Sequence, residues 1–293
     1  MAAALRLGAA QPSRTVPPAG QDLNPAPFHG AAAVKRHRGF RHLLSPANRH
    51  TLPVHGNRPE EAAGNPLESA AHDLRRSLPA DGDDFARSQS EQRTAQTRIL
   101  RAWAQQAGLT LDPELFLDPA TRGGEEHLVW PNTAISRYIK LTHAGRFGLA
   151  ADAQWFFDGE REEAGAKAFL RDATPLEYLD RLILQNTVFG DDIRLLGIID
   201  KARGMHVVTS QPTIRGGLVT LEEICAFMAA SGFARIDAVR LGHEDALAFF
   251  READGLAVFD CHVGNFIKSG QDVVPIDLIV QRAEPALRAA LGC

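Results

Sequence analysis

Four polar residues stand at positions where an apolar run makes them costly. Lys140 is one of only five lysines and lies inside Tyr138-Ile139-Lys140-Leu141, which reads as a strand. Asp260 closes the apolar stretch Leu256-Ala257-Val258-Phe259, Asn265 follows five residues later, and Asp277 ends Val274-Pro275-Ile276. A carboxylate at such a place is expensive unless it is paired, hydrogen-bonded or metal-bound. Two Asp and one Asn at strand ends form a hard-oxygen set suited to Mg²⁺, which keeps waters and takes phosphate oxygens as its other ligands. The competing reading is plain. Asp and Asn open turns after strands, and a strand lysine usually faces water. That reading explains each residue alone more easily than all of them together. A third chemistry, Cys261 as a nucleophile beside His262, is weak. Adjacent residues at a strand end point apart, and no orienting group is evident.

The elements that must position these residues can be read from spacing. A helix is expected from Ser90 to Gln106, with Ile99, Leu100, Trp103 and Ala104 on one face and Gly108 as its stop. From Arg122 short strands follow: His127 to Trp130, then Arg137 to Thr142. Residues 143–172 read as an inserted loop with one short helix. Thr174, Pro175 and Glu177 supply an N-cap, an N1 proline and a capping box for the next helix. Strands are expected at Ile193–Ile199 and His206–Ser210, and a helix from Thr220 to about Ala230. A short helix is expected at Leu241–Arg251. Strands then follow at Ala257–Asp260, Phe266–Lys268 and Val273–Ile276.

With these elements in order, the chain resembles the protein kinase-like fold and its aminoglycoside-phosphotransferase relatives. Asp260 and Asn265 match the spacing of a kinase catalytic loop. Asp277, in Ile-Asp-Leu, stands where the family has its metal-binding Asp-Phe-Gly, and Lys140 stands where it has the nucleotide-clamping lysine. Gly123-Gly124-Glu125-Glu126-His127 occupies the place of the glycine-rich phosphate loop. The helix from Thr174 takes the place of the one whose Glu pairs with the lysine, with Glu177 as candidate. Val208-Thr209-Ser210-Gln211-Pro212 takes the place of the adenine-binding hinge. More narrowly, Gly-Gly-Glu-Glu-His, Thr-Pro-Leu-Glu-Tyr-Leu, Phe-Gly-Asp-Asp, Val-Thr-Ser-Gln-Pro and Pro-Ile-Asp-Leu-Ile look like the small kinase-like domain of bacterial and phage polyvalent proteins. The resemblance covers about residues 95–281.

It implies an α+β fold: an antiparallel N-lobe sheet with one packed helix (89–211) over a reduced C-lobe (212–293), with ATP and Mg²⁺ as cofactors. Lys140, Gly123, Gly124, Glu177 and Gln211 would hold nucleotide, and Asn265 and Asp277 the metal. Asp260 would orient or deprotonate an acceptor, a protein or a small molecule. Several features depart from the family pattern. Val258-Phe259 replaces the usual His-Arg, only two adjacent glycines stand in the loop, and Glu177 lies 37 residues after Lys140. Only 16 residues follow Asp277, too few for the segments that hold a peptide substrate. A pseudokinase serving as a nucleotide-binding or interaction module is therefore the alternative expectation.

Composition frames these sites. The 293 residues are 44% hydrophobic and 23% charged, with net charge −4, ordinary for a globular chain and too mild for a dedicated nucleic-acid or membrane binder. Residues 1–60 differ: eight Lys/Arg against two acids, eight of 17 prolines and five of 11 histidines. Residues 1 to about 88 are expected to form a disordered basic tail, because so little apolar surface cannot offset the entropy of ordering. Removing that tail is expected to move the melting temperature by no more than about 2 °C. Its Arg/Ala/Ser-rich, acid-poor start also fits a transit peptide. No stretch approaches the roughly 20 apolar residues of a membrane helix. Three widely spaced cysteines without a CxxC pair argue against a zinc knuckle or a disulfide framework, so a reducing cytoplasm is expected.

Overall fold

The computed structural model describes residues 64–78, 88–116, 122–158 and 163–293. The remaining residues of the expected tail lie outside these segments. Residues 66–77, placed in that tail by composition, instead form a helix, α1 (Pro66–Ser77). Asn65 caps it by accepting from the Leu67 amide, and Pro66 opens it. Its Leu67, Ala70, Ala71 and Leu74 are fully buried. Burying the two leucines stabilises by about 3–6 kcal/mol. The tail reading failed here because two leucines in 12 residues are a faint signal beside their proline-rich surroundings.

Helix α2 (Gln89–Ala107) has a Ser88–Glu91 capping box and a left-handed stop at Gly108, close to the expected span. Strands β1 (Arg122–Gly123), β2 (His127–Asn132) and β3 (Arg137–Thr142) lead into a long hairpin, β4 (Leu149–Asp158) and β5 (Glu163–Asp172). Helix α3 (Pro175–Phe189) follows with the expected Thr174 cap, then β6 (Arg194–Lys201) and β7 (Gly204–Pro212). The main sheet is antiparallel in the order β1-β2-β3-β7-β6. One face packs Leu195, Ile198, Met205 and Val207 against α1, α2 and α3, through Leu67, Leu100, Trp103, Tyr178 and Leu179. Three helices therefore cover this face where one was expected. The opposite face buries Ile139, Leu141, Ile199 and Val208 under Leu111 and Phe116. Because strand residues alternate faces, burying Ile139 and Leu141 on that side turns Lys140 and Thr142 toward the helices.

Residues 212–293 carry α4 (Leu221–Ala230), β8 (Ala234–Ile236), β9 (Leu247–Arg251), β10 (Leu256–Cys261), β11 (Phe266–Ser269), β12 (Asp272–Pro275), β13 (Ile279–Arg282) and α5 (Pro285–Leu291). A four-stranded antiparallel sheet runs β13-β10-β9-β8, and β11-β12 form a separate hairpin. The helix expected at Leu241–Arg251 is corrected to strand β9. Leu247-Ala248-Phe249-Phe250 is buried on both faces, so neither a period of two nor one of 3.6 was visible. The loop expected over 143–172 is mostly the β4–β5 hairpin, a ten-pair ladder from Leu149↔Asp172 to Asp158↔Glu163. Its alternation runs through alanines, which are weak strand formers, and its glycines resembled turn punctuation. Trp155, Phe156 and Phe157 near its end are exposed.

Candidate active site

Lys140 stands on a central strand, and its side chain is 16% exposed. Its Nζ donates to the Ile276 carbonyl at 3.2 Å and lies 3.8 Å from Asp277 Oδ2. The two residues are 137 positions apart in sequence, and their pairing joins the main sheet to the segment entering β13. Asp277 keeps 39% of its side-chain surface open. Protein crowds it at longer range, which would raise its carboxyl. The charges of Lys140 and Arg181 outweigh that burial and hold it at about 2.

Arg181, on α3, is the residue the spacing arguments missed. It is buried, and its guanidinium spends donors on three residues in two segments. Nε reaches the Leu278 carbonyl at 2.7 Å, Nη1 reaches Glu126 Oε2 at 2.7 Å, and Nη2 reaches Asp277 Oδ1 at 3.2 Å. A signal for it was present: Tyr178, Arg181, Leu182 and Gln185 are the buried face of α3, and Arg181 is the one full charge at that helical spacing. Glu126 is nearly enclosed. Burial raises its carboxyl above the ordinary value, and Arg181 opposes that rise. Gly148 makes room for this pair. Its φ is +72°, and a Cβ there would lie 2.7 Å from Glu126 Oε2 and 3.2 Å from Arg181 Nη1. His127 is buried with its Nε2 2.8 Å from the Tyr178 hydroxyl. Burial drives its pKa down to about 3, so the ring is neutral.

The second half of the site lies at the end of β10. The ladder slips between Val258 and Cys261, and Asp260 adopts φ +59°. Asp tolerates this left-handed conformation better than most residues, and a bulge re-aims a side chain. Asp260 Oδ1 accepts from the His243 amide at 2.8 Å, and Oδ2 accepts from Asn265 Nδ2 at 3.0 Å. The same Asn265 nitrogen donates to the Asp260 carbonyl at 2.9 Å, which leaves the Asn265 Oδ1 as its remaining acceptor. Gly242 packs so close that a Cβ would meet Asp260 Oδ1 at 2.1 Å. The His262 ring stacks on His243 at 4.6 Å and brings Nε2 to 3.9 Å from Asp260 Oδ1. Asn265 is tied to the Asp277 segment through its carbonyl, which accepts from the Ile276 amide at 2.9 Å. The charges of Asp260 and Asp277 both act on Glu126, so the two halves share one electrostatic environment.

Not every candidate joins this cluster. Glu177 reaches back to the Thr174 amide and forms a fork with Arg171 at 2.6 and 2.9 Å; its partners are its own helix cap and β5, and no ion pair with Lys140 forms. The spacing expectation failed because a capping-box glutamate is already committed to its own helix. The Gln211 side chain donates to Asp191 at 2.5 Å, and its residue is paired with Tyr138 in the β3–β7 ladder. Gly123 belongs to β1, and the Gly124 amide donates to the His127 carbonyl at 2.9 Å. Together they make a tight turn onto β2. Cys261 is fully buried, and burial pushes its thiol well up, so a thiolate nucleophile has no support.

Residues 166–284 match the model of a family described as the serine/threonine/tyrosine kinase found in polyvalent proteins. The kinase-like resemblance therefore holds. The matched stretch carries Glu177, Arg181, Gln211, Asp260, Asn265 and Asp277 and lies downstream of Lys140 and Glu126. No curated protein and no solved structure matches the chain. No helix among the described residues is long and apolar enough to cross a membrane.

Mg²⁺ takes hard oxygen ligands, and the phosphates of ATP take a cation. The Asp277 carboxylate and the Asn265 Oδ1 are hard oxygens, and Lys140 is a compact cation suited to phosphate. Glu126, His127 and Asp277 also bring ligand atoms within 4.8 Å of one another. Arg181 and Lys140 already balance the two carboxylates of that group, so a cation there would find no net negative charge.

Proposed function

We propose that this protein is a Mg²⁺–ATP-dependent phosphotransferase acting on a protein or small-molecule acceptor. The observation that carries the reading is the approach of Lys140 Nζ to within 3.8 Å of Asp277 Oδ2, beside a loop in which Asn265 holds the Asp260 carboxylate. In this reading Lys140 binds nucleotide phosphates, and Asn265 and Asp277 hold the metal. Bound Mg²⁺ would neutralise phosphate charge. Asp260 orients the acceptor hydroxyl and takes its proton on a carboxylate oxygen, since each of its oxygens keeps a lone pair beyond the one hydrogen bond described. Catalysis is then chiefly positioning and charge neutralisation.

A second reading, a pseudokinase that serves as a binding module, is favoured by one observation. Arg181 and Lys140 together engage both Asp277 oxygens, so a metal must compete with two cations.

Calorimetry with ATP and Mg²⁺, followed by intact-mass analysis, separates the two. Asp277→Asn is expected to lower Mg²⁺-dependent nucleotide affinity. Asp260→Asn is expected to leave affinity nearly intact and to cut transfer by ~10²-fold or more. Wild-type protein that binds Mg²⁺–ATP yet transfers phosphate to no acceptor, water included, would make the pseudokinase the correct reading. Protein that binds no nucleotide would overturn both kinase-derived readings of Asp260, Asn265 and Asp277.

A further inference from the structure

We infer that Arg181 is the positioning residue of the site, and that its charge order is inverted. The helix beside the nucleotide lysine supplies a cation, and the turn before β2 supplies the acid. This rests on the phosphotransferase reading for its consequence, although not for its geometry.

The case begins with what Glu177 does not do. The helix carboxylate is consumed by its own N-terminus and by Arg171. One turn further along α3, Arg181 is 5% exposed and reaches the site instead. It fixes Asp277 twice, through the carboxylate oxygen Oδ1 and through the carbonyl of the next residue, Leu278. Two contacts to consecutive residues hold both the position and the rotation of that segment. The third contact, to Glu126, anchors the turn that follows Gly123-Gly124. A single planar fork therefore sets the relative placement of α3, the glycine turn and the Asp277 segment. Lysine cannot do this, because a point charge on a flexible stem does not reproduce a rigid fork. Each of these contacts is charge-assisted and therefore stronger than a neutral hydrogen bond. With Oδ1 held by Arg181, Asp277 presents Oδ2 to the Lys140 side of the site. Arg181 acts on a ligand only through Asp277.

Arg181→Lys is the decisive variant, because it keeps the charge and removes the fork. Glu177→Gln, which disturbs the same helix without touching Asp277, is the reference. The first measurement is amide hydrogen exchange on the ligand-free full chain. Arg181→Lys should speed exchange by tenfold or more across residues 276–280, and Glu177→Gln should leave that segment unchanged. Unaltered exchange there in Arg181→Lys overturns the inference, whatever the protein binds. The second is the ratio of nucleotide affinity with Mg²⁺ to that without it. Arg181→Lys should lower the ratio about tenfold, the scale of one lost charge-assisted contact, while metal-free affinity stays within about threefold because Lys140 is intact. A ratio equal to the wild type's in folded Arg181→Lys would make Arg181 a merely structural residue and overturn the role assigned here. If wild-type protein shows no Mg²⁺-dependent binding, the phosphotransferase reading falls, and the exchange result alone decides whether Arg181 sets Asp277.

Discussion

Gly148→Ala tests the buried pair at the centre of the site. The substitution imposes two costs. A left-handed backbone costs a residue with a Cβ about 1–2 kcal/mol. The new methyl would also lie 2.7 Å from Glu126 Oε2, closer than real contacts allow, and 3.2 Å from Arg181 Nη1, a tight contact. The carboxylate cannot retreat without loosening its contact with a guanidinium that is 5% exposed. Breaking a buried pair outright costs about 3–5 kcal/mol, and displacement should take part of that. The sum is roughly 2–6 kcal/mol. At about 2–4 °C per kcal/mol for a domain of this size, the melting temperature should fall by roughly 5–20 °C. Gly145→Ala is the control. It lies three residues away with φ +70° and no atom within 4 Å of the added Cβ, so only the backbone cost applies. Thermal and urea unfolding of the full chain, followed by circular dichroism, give both numbers. In a Glu126→Ala background the Gly148→Ala loss should shrink toward that of Gly145→Ala, because the obstructing oxygen is gone and the 3.2 Å approach to Arg181 Nη1 is what remains. Equal losses for the two glycines in the wild-type background would refute the placement of the Glu126–Arg181 pair under Gly148.

Two further outcomes are expected. His127, whose pKa is held at about 3, refuses in the folded state a proton that the unfolded chain takes below about pH 6.5. Stability should therefore fall with acidification by up to about 1.36 kcal/mol per pH unit between those values. Urea unfolding between pH 6 and 4.5 should show this slope in the wild type and lose it in His127→Gln. Leu74→Ala should cost about 2–5 kcal/mol by equilibrium unfolding, since Leu74 is fully buried against the α2–α3 cluster. A loss below about 0.5 kcal/mol would return α1 to the tail from which composition alone could not separate it.

The contrast between α3 and the β4–β5 hairpin shows how much was legible. Thr174, Pro175 and Glu177 marked the start of α3, because capping chemistry is local and leaves residue types at fixed offsets. The strands at Lys140 and around Asp260 and Asn265 were legible for the same reason: each polar residue interrupts an apolar run. What escaped depends on distance in sequence. No local pattern says that Arg181 reaches across 96 positions to Asp277 and 55 to Glu126. Glu177 was assigned to Lys140 because residue type and approximate place were all that spacing offered, and its capping bonds compete successfully. Alanine-rich strands and strands buried on both faces carry little periodic contrast, which hid β4, β5 and β9.

The hairpin has a mechanical side. Ten residues per strand at about 3.3 Å each make a ribbon about 33 Å long. At its root the Ala173 amide clasps the Gly148 carbonyl at 2.9 Å, and Gln281 grips the Ala151 backbone from both sides at 2.7 and 2.8 Å. The ribbon is thus a lever with a clamped fulcrum. Gly148 at that fulcrum is also the residue lying over the Glu126–Arg181 pair. A load on the exposed Trp155 or Phe157 therefore acts through a long arm on a spot where the site has little room to give.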